Sequence, residues 1–201
     1  MAEESLFKKL QTEIASKGIA RRTEESRRWF AEKARDLTSI NRRNLLRDPL
    51  LEERTRPLVG RMYHYFYDPK YKDQLPYYDR FPLTIMVGPA QDGFYGINLH
   101  YIEPMTRAIL LDKLMDVATN KRYNENTRLK INYQILSAAA EYREFKPCFK
   151  HYLTKHLKSK VALIPASEWD IAIFLPTEQF KGKNKRSVWN ESKRIYRSWV
   201  L

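Results

Sequence analysis

Three of the chain's potential metal ligands, Cys148, His151 and His156, lie within nine residues of one another. On a helix the first two share a face, and His156 falls about 60–80° away from it. A structural zinc site needs four ligands at a recognisable spacing, and the chain has a single cysteine. We therefore interpret Cys148 as an ordinary buried cysteine and the histidines as surface residues, and we expect no metal site.

Two pairs of carboxylates are candidates for acid–base or metal-assisted catalysis. Asp112 and Asp116 are four residues apart and share a helix face, where they could hold a divalent ion, but the intervening Lys113 favours a solvated face. Glu168 and Asp170 suggest a nuclease site, and a helix cap explains them equally well. The sequence has no nucleophile elbow and no phosphate-binding glycine loop. We predict that the protein is not an enzyme and that it uses no cofactor and no small-molecule substrate.

Basic residues give a stronger signal than these acids. The 201 residues include 37 Lys and Arg against 24 Asp and Glu, so the formal net charge is +13. An excess of this size is typical of proteins that bind a polyanion or an acidic protein neighbour. Three clusters contain the predicted DNA-contacting residues, which are Arg21, Arg22, Arg27, Arg28, Lys150, Lys155, Lys158, Lys160, Lys181, Lys183, Lys185 and Arg186. No helix-turn-helix, zinc finger or RNP motif is present, so the expected contacts are with the phosphate backbone.

The most unusual stretch is RMYHYFYDPKYKDQLPYYDRFPLTIMVGPAQDGFYGINLHYIEP, residues 61–104, which is rich in tyrosine, proline and glycine. It is either a small sheet that supports the fold or a surface that grips a partner. Residues 61–68 and 81–87 have the aromatic and β-branched character of strands. GPAQDG predicts a loop in which Gly93 takes a positive φ, and FYGINLHYI completes a hairpin with Gly96 at a bulge. We predict a small antiparallel sheet, or an SH3-like barrel.

Helical patterns flank this segment. Leu6, Leu10 and Ile14 predict an amphipathic helix over residues 3–17, and Thr23 is a candidate start for a second. Further helices are predicted over residues 104–118 and 127–142, and a short basic helix from Pro147. VALIP predicts a strand, and Ser167 with Asp170 predicts a capped helical turn. The fold class is therefore α+β, with the sheet packed against several helices.

The prolines and charge blocks of residues 41–60 predict an extended arm or linker. We expect N-terminal helices over residues 1–40, this arm over 41–60, an α+β core domain over 61–180 and a basic C-terminal tail over 181–201. The single cysteine is typical of a reducing compartment. The N-terminus lacks an apolar signal region and no run approaches membrane-spanning length, so we expect no membrane association.

Several blocks of the sequence resemble a known family. MYHYFYDPKYKDQLPYYDRFPL, DGFYGINLHYI, TRLKINYQIL, KPCFKHYLT and WDIAIFLPTEQF together are similar to the DNA end protector family of T-even-like tailed phages and their marine relatives. The resemblance covers roughly residues 60–190. It implies a virion protein, located in the host cytoplasm during assembly, that binds the end of packaged double-stranded DNA and shields it from host exonuclease.

The resemblance also implies partners among other virion proteins near the portal, neck or tail. An alternative is an architectural tail, neck or baseplate subunit with no DNA contact, whose basic clusters meet acidic protein neighbours. A head-completion nuclease is a minor third possibility.

Overall fold

The structure is a computed structural model that describes residues 5–37, 40–118, 122, 124, 134 and 146–197. The described strands are β1 (Glu52–Arg54), β2 (Met62–His64), β3 (Tyr78–Asp79), β4 (Leu83–Ala90), β5 (Gly93–Asn98), β6 (Phe149–Leu153), β7 (Val161–Ile164) and β8 (Phe180–Lys181). Six of them form one antiparallel sheet in the order β1-β7-β2-β4-β5-β6, and β3 pairs with β8 in a separate ribbon. The predicted α+β class is confirmed. Strands β1, β6 and β7 of this sheet lie outside residues 61–102, where the small sheet was predicted. Its SH3-like form stays a prediction.

The helices pack around this sheet. The described α-helices are α1 (Leu6–Ser16), α2 (Glu24–Asp36), α3 (Arg42–Leu45), α4 (Pro104–Ala118), α5 (Trp169–Ala172) and α6 (Lys185–Arg197). The predicted helix over residues 127–142 lies outside the described residues. None of the described helices is long and apolar enough to cross a bilayer.

The two N-terminal helices follow the predicted pattern. Phe7, Leu10 and Ile14 form the buried stripe of α1. At the start of α2, the Thr23 hydroxyl accepts from the backbone N–H of Ser26, and the Ser26 hydroxyl accepts from that of Thr23. This reciprocal cap satisfies two backbone donors that the first helical turn leaves without partners.

The β4–β5 hairpin differs from the prediction in its turn. Gly88, Pro89 and Ala90 are part of β4, where the prediction had a loop, and Gly93 does not take a positive φ. Gly93 is required for space instead, because a Cβ there would lie 1.8 Å from the carbonyl oxygen of Tyr152 on β6. The irregularity expected at Gly96 falls on the facing strand, between Met86 and Gly88.

The basic helix predicted from Pro147 is wrong. Residues Lys146–Cys148 form a 3-10 turn, Phe149–Leu153 form β6, and Thr154–His156 form another 3-10 turn. The lysine-rich sequence suggested a helix, but β6 pairs with β5 over five residues, and these non-local backbone hydrogen bonds decide the local conformation. The strand predicted at VALIP is confirmed as β7.

Residues 41–60 contribute to the core, although their prolines and charges suggested otherwise. Leu45, Leu46 and Leu51 belong to the main cluster of buried apolar residues. Arg42 donates hydrogen bonds to the carbonyl oxygens of Pro176, Thr177 and Glu178, at 2.7–3.3 Å. The segment therefore orders against the body of the protein. The proposed domain boundaries stay a prediction.

The C-terminal part contains two further corrections. The helical turns at residues 166–172 are confirmed, but no side chain caps either one, and Asp170 pairs with Arg21 instead. The basic tail includes helix α6, which buries Val188 completely. Asp170 thus connects α5 to Arg21, which lies between α1 and α2.

Candidate nucleic-acid interface

The first predicted basic cluster is partly neutralised. The Arg21 guanidinium donates to the Asp170 carboxylate and to the Ser167 carbonyl oxygen, and Arg27 forms an ion pair with Asp112. Burial opposes the charge of Arg21, yet its hydrogen bond with Asp170 and the nearby carboxylates raise its pKa. Arg22 and Arg28 are exposed.

The same arginines contact three of the four candidate catalytic carboxylates. Asp170 and Glu168 are buried beside Arg21. Asp112 pairs with Arg27, while the side chain of Asp116 lies outside the described part of the chain. Across the described residues, no group of three or more His, Cys, Asp and Glu side chains is placed to hold a metal ion. Cys148 is fully buried as predicted, and burial raises the pKa of its thiol to about 12.

The second cluster divides between surface and interior. Lys155 and Lys158 are exposed, and Lys160 pairs with Glu53 of β1 at 2.7 Å. Lys150 differs, because it is half-buried and its Nζ lies 4.3 Å from the centroid of the Tyr101 ring. Burial lowers the pKa of Lys150, and it forms no ion pair with a carboxylate of any described residue.

The third cluster lies along β8 and the start of α6. Lys183 pairs with Glu191 and Lys185 with the buried Glu178, whereas Lys181 and Arg186 are exposed. Lys183 also lies over the ring of Tyr77, 4.6 Å from its centroid. Because Tyr77 and Tyr101 are 5.9 Å apart, the fold brings Lys150 and Lys183 to neighbouring aromatic rings.

A cavity of about 440 Å³ opens beside these rings. Its lining residues come from the loop before β3, the β4–β5 turn, the end of β5 and strand β6. They are Tyr67, Pro69, Lys70, Tyr71, Leu75, Tyr77, Tyr78, Asp79, Asp92, Asn98, Tyr101, Lys150, His151, Tyr152 and Leu153. We call this cavity the tyrosine pocket. Tyr63 and Tyr65 of the aromatic segment are buried in the fold, whereas Tyr67, Tyr71, Tyr77 and Tyr78 line the cavity. That this segment also holds a partner stays a prediction.

The floor of the tyrosine pocket is held by a buried polar network around Asp79. Asp79 Oδ1 accepts from the backbone N–H groups of Phe81 and Gln179, both at 3.1 Å. Its Oδ2 accepts from Asn98 Nδ2 at 3.2 Å and meets His100 Nδ1 at 2.6 Å. Although burial opposes ionisation, the contact with His100 and the backbone donors lower the pKa of Asp79.

This network resembles a nucleophilic triad in its connections. His100 Nε2 lies 3.1 Å from Thr177 Oγ1, so Asp79, His100 and Thr177 form a chain of hydrogen bonds. All three residues are at most 3% exposed, and Thr177 does not line the tyrosine pocket. A substrate carbonyl or phosphate cannot approach that hydroxyl, so the arrangement serves the fold.

The comparison with protein families identifies the chain. The family described as phage T4 terminal DNA protecting protein matches residues 3–198. The chain belongs to this family. No curated protein and no solved structure matches it.

The terminal DNA protecting family gives the chain its function, which is to bind the ends of phage DNA and protect them. The match extends beyond the predicted resemblance over residues 60–190 and includes both N-terminal helices. The architectural alternative without DNA contact is not favoured. Sequence reasoning missed the tyrosine pocket, for which the only signal was the density of tyrosines near residues 63–78.

Proposed function

We propose that this terminal DNA protecting protein holds the DNA end through exposed lysines and arginines that contact phosphates without reading base sequence. It does so without catalysis, inside the virion, beside other virion proteins near the portal, neck or tail. Bound there, it covers the end and keeps host exonuclease from it. Of the predicted basic residues, those that are both exposed and without an ion pair supply this contact.

The observation that carries the proposal is the set of predicted basic residues without an ion-pair partner. Arg21, Arg27, Lys160, Lys183 and Lys185 pair with carboxylates. Within the described part of the chain the others form no such pair, and they are Arg22, Arg28, Lys150, Lys155, Lys158, Lys181 and Arg186. All of these except Lys150 are exposed. A free, exposed cation can release counterions from DNA, whereas an ion-paired one must first give up its carboxylate.

The ion pairs also determine which variants test the proposal. Substituting Lys185 would leave the carboxylate of Glu178 buried without its partner, which destabilises the fold and obscures any effect on binding. The informative change is therefore Lys155, Lys158, Lys181 and Arg186, each to Gln, which we call the free-charge variant. A matched control replaces Lys8, Lys9, Lys17 and Arg35, which are exposed and lie outside the three clusters.

Binding to linear duplex DNA should be measured as a function of salt concentration, by fluorescence anisotropy, for several unrelated sequences. Each phosphate contact contributes about −0.9 to the slope of log K against log salt, so the free-charge variant should flatten the slope by about 3 to 4. The control should keep the wild-type slope. An exonuclease assay should show shielding of the linear duplex by the wild type, loss of shielding in the free-charge variant, and no release of nucleotides by the protein alone.

Two results would overturn the proposal. One is a wild type that binds no DNA at about 50 mM salt, where phosphate contacts are strong. The other is equal weakening by both variants, which would mean that net charge alone, and not these clusters, governs binding.

A further inference from the structure

The tyrosine pocket contains a feature that phosphate contacts on the outer surface do not explain. Lys150 is a half-buried cation that lines this cavity and meets no carboxylate of the described residues. Partial withdrawal of an ammonium group from water without an anionic partner is unfavourable, and the Tyr101 ring compensates only in part. Such a cation is well suited to an anion that arrives from outside.

The two acids of the pocket do not supply that anion. Asp79 already accepts from Phe81, Gln179 and Asn98 and meets His100, so its carboxylate oxygens are occupied. Asp92 pairs with His151 at 3.0 Å on the outer rim. The ligand therefore has to bring its own negative charge.

We propose that the tyrosine pocket receives one unpaired nucleotide at the end of a DNA strand, with its phosphate on Lys150 and its base against the tyrosines. This inference rests on the proposed function, because it specifies how a DNA-binding protein would distinguish an end from the interior of a duplex. The pocket then supplies the preference for ends, and the exposed lysines and arginines supply affinity for the adjoining duplex.

The lining of the pocket fits both parts of a nucleotide. Aromatic side chains take up bases of any sequence, because every base has a face on which to stack. Lysines lie over three of the rings here, since Lys70 covers Tyr71 at 4.9 Å in addition to the pairs at Tyr77 and Tyr101. Since Lys183 is paired with Glu191, Lys70 and Lys150 carry the positive charge on these aromatic walls, and this charge suits a ligand that combines a planar base with a phosphate.

The size of the pocket favours an end over the interior of a duplex. Its volume of about 440 Å³ is in the range of small-ligand sites. Its linear dimension is on the order of 8 Å. The major groove of B-DNA alone is wider than that, and the whole duplex is wider still. A base-paired segment cannot enter it, whereas the last nucleotide of a strand needs only to lose its pairing and one stacking neighbour.

The phenol groups of the pocket remain neutral donors. Burial raises the pKa of Tyr101 well above its ordinary value, and burial together with Glu191 raises the pKa of Tyr77 to about 12. The neutral Tyr101 phenol can therefore donate to a phosphate or base oxygen across the physiological pH range, whereas the Tyr77 phenol is hydrogen-bonded to Glu191. The two carboxylates of the lining, Asp79 and Asp92, each have a partner within the protein, His100 and His151.

The test compares DNA with and without ends. The closed substrate is a duplex with hairpin loops at both ends. The open substrate is a duplex of the same length with a one-nucleotide extension and a 5′-phosphate. It is prepared in two versions, with the extension on one strand or on the other. The full-length wild type should bind the open duplex at least about tenfold more tightly than the closed one, from base stacking and one added phosphate contact. An abasic extension should lose most of this preference, and free mononucleotide should compete only at far higher concentration than the open duplex.

Two variants with matched controls connect this preference to the pocket. Lys150→Met removes the half-buried charge and keeps an apolar stem of similar length. Tyr71→Ala removes a ring that is 55% exposed, so that it leaves the fold intact. Both should bring the ratio of open to closed affinities close to one while binding to closed DNA is unchanged. Lys17→Met and Tyr95→Ala change the same residue types outside the pocket and should keep the wild-type ratio.

The outcomes separate this inference from the proposed function. If the wild type binds closed and open duplexes equally and with steep salt dependence, backbone binding stands and the pocket has no role in recognising ends. If the preference for ends persists in Tyr71→Ala and in a folded Lys150→Met, the nucleotide is held elsewhere and the inference is wrong. If neither substrate binds, both proposals fail.

Discussion

Replacing Asp79 by alanine tests whether the buried network under the tyrosine pocket is a principal support of the fold. The carboxylate is 3% exposed and accepts from Phe81 N, Gln179 N and Asn98 Nδ2, besides its contact with His100. Removing it leaves several buried donors without a partner, each costing about 1–3 kcal/mol before relaxation. Since water can enter from the pocket side, we expect a loss of about 3–5 kcal/mol in the free energy of unfolding.

Urea denaturation followed by tryptophan fluorescence measures this loss directly. With a slope of about 2 kcal/mol per molar urea, the midpoint should fall by about 2 M. The matched control is Asp92→Ala, which also removes an aspartate that pairs with a histidine. Its side chain is 62% exposed, so the cost should be below about 1 kcal/mol.

The pH dependence has a definite sign. Because the pKa of Asp79 is lowered in the folded protein, its contribution is present above the unfolded pKa of about 3.8 and is lost as pH falls through the folded pKa. Wild-type stability should therefore decline in acid more steeply than that of Asp79→Ala. A cost below 1 kcal/mol for Asp79→Ala, or a value equal to that of Asp92→Ala, would refute the assignment of this network as a support of the fold.

Two further variants test the fold around the pocket. Gly93→Ala should lower the free energy of unfolding by about 2 kcal/mol or more in thermal unfolding, because the added Cβ meets the Tyr152 carbonyl oxygen. Gly88→Ala, where a Cβ meets nothing within 4 Å, should lower it far less. Similar values for the two variants would contradict the close approach of β5 and β6. Arg42→Ala should speed proteolysis within residues 41–60 of the isolated protein, because it removes three hydrogen bonds to residues 176–178, whereas the exposed Arg47→Ala should not. Equal digestion of both variants would show that Arg42 does not hold the segment in place.

Much of the local structure was predictable from sequence. Helices α1 and α2 have a stripe of apolar residues or a capping pattern within a few residues, and β4 and β7 are short β-branched runs. In each of these elements, neighbours along the chain already favour the conformation that packing requires. The positive charge and the family resemblance likewise indicated DNA as the partner before any contact was known.

The chemistry of the surface depended on tertiary contacts. From the sequence alone all twelve basic residues have equal weight, but carboxylates 7 to 149 residues away along the chain neutralise some of them. Lys185–Glu178 is the nearest pair along the chain and Arg21–Asp170 the most distant. Charge count is a property of composition, whereas the free charge depends on which acids the fold places within reach. The variants proposed for DNA binding follow from that distinction.

The sequence by itself determined the α+β class, the N-terminal helices and the basic, DNA-binding character of the chain. Only the tertiary structure decided that residues 149–153 form a strand, and that Tyr71, Asn98 and Lys150 line one cavity. The physical reason is the range of the interactions. Helix caps and apolar stripes act within a few residues, whereas strand pairing and pocket formation depend on segments about 50–80 residues apart, which local propensity does not encode.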